Sequence, residues 1–240
     1  MSQERAEALV LRGVDFSETS RIVTLVTAQR GRLVCMATGA RRPKSPFAGM
    51  LDTYNRLEIV YYWKESREVQ TLAEATLIDA YTDIKNHMEK STYASFPLEL
   101  TLRVAQANEP SAPLFHQAVT GFHQLDRWRG DVRAHCCWQV LGLLAAAGFQ
   151  PSLERCCACG GSVPSAPSFS LDGGVTCRAC PGDRRLTAKD YAQLRALAKA
   201  GDACPNIEAT PGVFDALRDF AMRQLETDFK SVRVIRQVLS

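Results

Sequence analysis

Four cysteines carry the clearest chemistry in this sequence. Cys156 and Cys159 form one C-x2-C pair and Cys177 and Cys180 a second, with residues 160–176 between them. Two intervening residues let both sulfurs of a pair turn onto one metal about 2.3 Å away, and two such pairs make the pattern of a tetrahedral four-thiolate zinc site. Gly160 and Gly161 follow the first pair and Gly173 and Gly174 precede the second, which suits the tight turns of a short ribbon. The competing readings are buried thiols or a disulfide. Four thiolates close the metal shell, whereas catalytic zinc keeps a position open for water, so one structural Zn2+ per chain is expected. Cys157 lies between the two hook cysteines. Its spacing to Cys159 closes a poorer chelate, so Cys156 is the expected ligand and Cys157 an exposed or packed bystander, with a swap between the two as the alternative.

A second chemistry comes from charge. The net charge of +3 and the pI near 8.4 do not by themselves imply a polyanionic partner. Their distribution does more: Thr19–Leu51 holds no Asp or Glu, yet contains Arg21, Arg30, Arg32, Arg41, Arg42 and Lys44. Cations of this kind neutralise phosphates and release counterions, so these six are the expected nucleic-acid contacts. Phe47, Tyr54, Tyr61, Tyr62 and Trp63 follow closely and offer faces for base stacking. For Tyr61 and Tyr62 core packing is the stronger expectation. Lys230, Arg233 and Arg236 recur every three residues near the end of the chain. They form a basic helical stripe that is a second DNA contact, a dock for an acidic peptide, or a solvated face.

No residue is assigned a catalytic role, and the chain is not expected to be an enzyme. Gly39–Ser45 superficially resembles a phosphate loop ending in Lys-Ser, but Pro43 stands where that loop needs glycine, removing an N–H donor. His135, Cys136 and Cys137 are consecutive, so on a helix they diverge by about 100° each and belong to a core or a helix surface. Cys35, in an apolar strand, reads as a buried small hydrophobe. Asp215 and Asp219 read as a solvated helix face.

These residues need elements to hold them. Ala6–Val14, Arg21–Thr27, Arg32–Thr38, Asn55–Tyr62 and Val69–Leu77 have the alternation and β-branched content of strands, with a turn at Gln29-Arg30-Gly31. Five short strands without a crossover helix suggest an antiparallel barrel, most economically an oligonucleotide-binding (OB) fold over residues 1–80. Gly39–Gly49 is a loop. From Ile84 the apolar period becomes helical. Helices are expected over Ile84–Ala107, from Pro113 with Phe115, Val119, Phe122 and Leu125 on one face, from a cap at Asp131 to Ala147, from a cap at Thr187 to Ala200, and over most of Gly212–Val238. The expected class is therefore α+β multidomain. The OB barrel (1–80) is followed by a helical domain in two parts (81–152 and 187–240), interrupted by a zinc ribbon (153–186). No run of about 18 apolar residues predicts a membrane span. The start MSQERAEALVL lacks a signal core, so reduced thiols and a cytoplasmic location are expected.

The run LGLLAAAGFQPSLERCCACGG, the upstream NEPSAPLF and the N-terminal VLRGVDFSETSRIVTLVTAQRGRLVCMATGARRPKS resemble the RecO family of bacterial recombinational repair mediators. The resemblance covers nearly the whole chain, including the less diagnostic FKSVRVIRQVL. It implies an OB barrel followed by a helical domain with a zinc ribbon. It also implies a nucleoid-associated protein that binds single- and double-stranded DNA and anneals complementary strands without ATP. Such a protein works with RecR to help load RecA onto strands coated by single-stranded-DNA-binding protein (SSB), whose acidic, apolar-ended tail docks on the helical domain. Zinc cysteines are not retained throughout that family, so the metal expectation rests on the four residues themselves. A zinc-ribbon adaptor that binds only proteins is the alternative, and a catalytic zinc hydrolase or deaminase a distant third.

Overall fold

Alternation of small and branched apolar residues builds the N-terminal strands, and one of them is long enough to close the sheet on itself. A computed structural model describes residues 2–239. β1 (Ser2–Asp15), β2 (Arg21–Thr27), β3 (Gly31–Ala37), β4 (Arg56–Trp63) and β5 (Gln70–Asp79) form a closed barrel in the order β1-β2-β3-β5-β4. β1 runs beyond both ends of the expected strand because it has two partners. Its first half pairs with β4, from Ser2 opposite Trp63 to Leu9 opposite Arg56, and its second half with β2, from Ala8 opposite Thr27 to Asp15 opposite Arg21. A register shift between Val10 and Arg12 marks a bulge at the changeover, the device by which barrel strands bend. The short parallel pairing of β3 with β5, at Cys35–Gln70 and Met36–Thr71, completes the ring. This is the topology of an OB fold.

Inside the barrel, Ala6, Ala8 and Val10 alternate along β1 and meet Val23, Leu25, Leu33, Cys35, Leu57, Ile59 and Tyr61. The loop after β3 adds Phe47 and Leu51, which are 6% and 2% exposed. Phe47 is therefore a plug in the core and is not free to stack on bases. Tyr61, 1% exposed, is core as expected, whereas Tyr62 is exposed and not core. Full burial of side chains this large contributes roughly 1.5–3 kcal/mol each, so the loop that carries the basic residues is anchored by its apolar members.

The barrel strands and Thr101–Phe122 make one compact unit; Asp83–Leu100 with the stretch from His123 onward make the other. In the first, Gly31 explains why a helical stretch joins the strands. It sits at φ +56°, and a Cβ there would lie 2.4 Å from the carbonyl oxygens of Gln106 and Glu109. Arg32 N–H donates to the Gln106 carbonyl (2.9 Å) and Ser111 N–H to the Ala28 carbonyl (3.0 Å).

The expected helix from Ile84 is two, α1 (Thr82–Asn86) and α2 (Met88–Val104). Asp126 Oδ1 accepts from the N–H groups of Asp83 and Ile84, holding α1 as a turn of its own. α3 (Ala112–Arg127) buries Phe115, Val119, Phe122 and Leu125, the face read from spacing. α4 (Val132–Ala146) starts at Asp131, whose carboxylate accepts from Ala134 N–H at 2.8 Å, and it is buried nearly all round, so it forms the centre of the second unit. His135, Cys136 and Cys137 are among its buried residues. α5 (Ala188–Lys199) opens with a reciprocal capping box between Thr187 and Asp190. The last expected helix is also two, α6 (Pro211–Gln224) and α7 (Lys230–Leu239). The break places Phe229 in the core, edge-on to Phe96 at 5.1 Å. Asp215 and Asp219 are not a merely solvated pair: both hold the guanidinium of Arg218, which is 6% exposed, and Arg184 joins Asp219 at 3.2 Å. Among the described residues no helix is long and apolar enough to cross a membrane.

Candidate metal centre and nucleic-acid interface

The cysteine segment folds as a small ribbon on the second unit. β6 (Ser168–Ser170), β7 (Gly174–Thr176) and β8 (Arg184–Arg185) pair in the order β7-β6-β8. So few strand residues cannot bury a core of their own, and the ribbon borrows one: Phe169 is fully buried with its ring edge-on to Phe220 at 5.7 Å. Tyr191 O–H donates to the Leu153 carbonyl (2.8 Å), fixing the entering chain. Gly174, at φ +118°, lets Ser152 pack against the ribbon, since a Cβ would stand 2.2 Å from the Ser152 carbonyl oxygen.

The two knuckles bring Cys156, Cys159, Cys177 and Cys180 together, with all four sulfurs within 4.8 Å of one another. Cys159 and Cys177 Sγ are 3.7 Å apart; a tetrahedron with metal–sulfur bonds of about 2.3 Å has sulfurs about 3.8 Å apart. The backbone supports the ionised form that a metal requires. N–H groups of Cys177 and Cys159 bring the Cys156 thiol down to about 6, and that of Ala179 lowers Cys177. Hydrogen bonds with the neighbouring sulfurs, Cys159 first, push Cys180 up to about 12. Cys157 is exposed, its sulfur 3.6 Å from the Gly174 carbonyl, and is not part of the cluster. Among the described residues no other group of three or more potential ligands converges. The His-x-Glu arrangement that zinc deaminases use is present in sequence at His87 and Glu89. There His87 Nδ1 lies 3.2 Å from Asp83, and neither residue joins the sulfurs.

The six N-terminal cations divide into two groups. Arg30 pairs with Glu4 at 2.7 Å and lies over the Trp63 ring at 4.1 Å, while Tyr61 O–H donates to the same Glu4 carboxylate at 2.8 Å. Arg30 holds the Glu4 carboxyl below its usual range, and burial pushes the Tyr61 phenol up. Arg41 pairs with Asp15 at 3.2 Å and donates to the Ser17 carbonyl at 2.6 Å; Arg21 reaches Asp52 at 3.7 Å and Asp15 at 3.9 Å. Arg32, Arg42 and Lys44 have no ion pair among the described residues, and Arg42 and Lys44 are exposed. A window count of charge misses this partition, because Glu4, Asp15 and Asp52 lie outside the acid-free window in sequence and beside it in space. Near the C-terminus Lys230, Arg233 and Arg236 are all exposed on α7, with Arg233 3.5 Å from Asp228, and exposed Val234 and Val238 share the helix.

With the barrel, helices and cysteine ribbon in this order, comparison with known proteins is direct. Family models described as Recombination protein O N terminal and Recombination protein O C terminal match residues 1–81 and 86–232. The chain belongs to the RecO family. It is 31% identical over 227 residues to the DNA repair protein RecO of Rhodopirellula baltica, covering 92% of this chain and 83% of that one. The relative from Exiguobacterium sibiricum is 34% identical over 73% of this chain and 69% of its own length. The Salinibacter ruber relative is 33% identical, and the match spans 63% of this chain and 58% of that protein. Membership places the chain in DNA repair and recombination.

Proposed function

We propose that this chain is a DNA-binding recombination mediator whose barrel grips the sugar-phosphate backbone and whose ribbon holds one structural Zn2+. On this reading it binds single- and double-stranded DNA, anneals complementary strands without ATP, and acts with RecR to load RecA onto SSB-coated strands. The observation that supports it is that Arg32, on β3, and Arg42 and Lys44, on the loop after it, have no ion pair among the described residues of a barrel of the OB type. Annealing asks little else of the protein. Base pairing supplies the driving force, and the protein need only screen phosphate repulsion and bring strands together, so neither a nucleotide nor a catalytic side chain takes part. Arg21, Arg30 and Arg41 hold the barrel loops and contribute charge at reduced strength. Lys230, Arg233 and Arg236, with exposed Val234 and Val238 on the same helix, suit the acidic, apolar-ended tail of SSB.

Cys156, Cys159, Cys177 and Cys180 would hold the zinc, a d10 ion that accepts four thiolates in a tetrahedron and has no redox chemistry of its own. Its role is to fix a ribbon whose strands are too short to hold themselves. The deciding experiment is annealing of complementary oligonucleotides in the absence of nucleotide. Wild type accelerates it, and a variant with Arg32, Arg42 and Lys44 all changed to Ala loses the acceleration with unchanged melting temperature. If wild type leaves the spontaneous annealing rate unchanged, the mediator reading fails and a protein-only adaptor is left.

A further inference from the structure

The turn joining β1 to β2 carries an aromatic ring that the fold does not use. Phe16 is 60% exposed, and among the described residues it is the one phenylalanine in that condition. A single exposed apolar residue needs no explanation by itself. This one differs because its turn is fixed from both sides. Phe16 and Ser17 N–H groups both donate to the Ser20 carbonyl, at 3.0 and 3.3 Å, and Ser20 N–H donates to Ser17 Oγ at 3.1 Å. The turn is then docked on the basic loop. Arg41 N–H donates to the Thr19 carbonyl (3.0 Å), and its guanidinium binds the Ser17 carbonyl and Asp15. Arg42 and Lys44 continue that loop, exposed and without an acid partner among the described residues. An exposed ring on a hydrogen-bonded turn, docked through Arg41 on the loop that carries Arg42 and Lys44, suits single-stranded nucleic acid: bases stack on the face while the backbone follows the charge. In OB barrels the loop after the first strand is one of the segments that meets oligonucleotides.

We infer that Phe16 is the platform on which an unpaired base of single-stranded DNA stacks, with Arg42 and Lys44 taking the adjacent phosphates, so that this turn tells single strands from duplex. The inference rests on the DNA-binding reading above and adds to it. In a duplex every base face is already covered, so the ring has nothing to stack on, while the cations meet phosphate in either form. Phe16 thus sets which strand state is preferred, and Arg41 is a positioning residue that holds the turn.

The test measures affinity by fluorescence anisotropy for a labelled oligothymidylate and for a duplex of equal length, at one fixed salt concentration. It compares wild type, Phe16→Ala, Phe16→Trp and the double variant R42A/K44A, each checked for an unchanged melting temperature. Phe16→Ala weakens single-strand binding by about tenfold or more and leaves duplex binding within about twofold. Phe16→Trp retains single-strand affinity, and R42A/K44A weakens both. The inference is overturned if Phe16→Ala binds single strands like wild type, or loses single-strand and duplex affinity equally. If wild type binds neither nucleic acid in dilute salt, the DNA-binding reading fails first and this inference falls with it.

Discussion

At the scale of single residues, what matters is which charged and sulfur groups find a partner. Cys177 converges with three other sulfurs, so on the zinc reading Cys177→Ser should lower zinc content, measured by colorimetric release, from one per chain toward none, with reduced solubility. A Cys177→Ser chain that stayed folded, soluble and metal-loaded would count against the site, whereas Cys157→Ser should retain the metal. Asp83 illustrates a different dependence. Lys90 first and then Arg129 hold its carboxyl down to about 2, with Lys90 Nζ at 2.5 Å and Arg129 at 3.0 Å. Because the folded pKa is depressed, the stabilisation is complete above the ordinary carboxylate value and is lost as pH falls through about 2. Asp83→Asn should therefore melt at a lower temperature than wild type near neutrality, and the gap should close as the solution is acidified toward pH 2. A gap independent of pH would disprove the pairing. Much at this scale was legible: spacing alone separated Cys156 from Cys157. The pairing of Arg21, Arg30 and Arg41 was not, because their acids come from elsewhere in the sequence and meet them only once the barrel closes.

Elements were easier to read than their limits. The strands announce themselves by alternation, and the helix from Asp131 by its cap, because these signals are local. The long β1, the break at His87 and the split between α6 and α7 were not visible, since each depends on a distant partner: β4 for the first, Asp126 for the second and the pocket filled by Phe229 for the third. Phe47 was misread for the same reason, its barrel neighbours lying far away in sequence. Two substitutions test the local devices. Thr187→Ala removes the capping-box acceptor of α5 and should cost about 1 kcal/mol in denaturant unfolding. Gly31→Ala forces a Cβ toward two carbonyl oxygens at a positive φ and should cost more than the ~1 kcal/mol typical of a simple glycine replacement. Equal stability of Gly31→Ala and wild type would show that the close approach of β3 to Gln106 and Glu109 is not maintained in solution.

For the whole molecule, DNA repair membership and the barrel-then-ribbon order agree, and what remains to be tested is whether the barrel cations hold DNA. The counterion relation turns the cation census into a number. Six phosphate contacts on single strands would give a slope of log K against log salt near about −4, whereas contacts by Arg32, Arg42 and Lys44 alone give about −2. The structure, by pairing the other three, favours the shallower value. The most direct measurement is therefore equilibrium binding of a single-stranded oligonucleotide across a salt series, for wild type and for the chain with those three residues changed to alanine. Wild type should bind in dilute buffer with a slope of about −2, and the variant should lose most of both affinity and slope while melting at the same temperature. Wild-type binding that ignored salt, or a variant that bound as wild type does, would contradict a DNA grip built from these barrel cations.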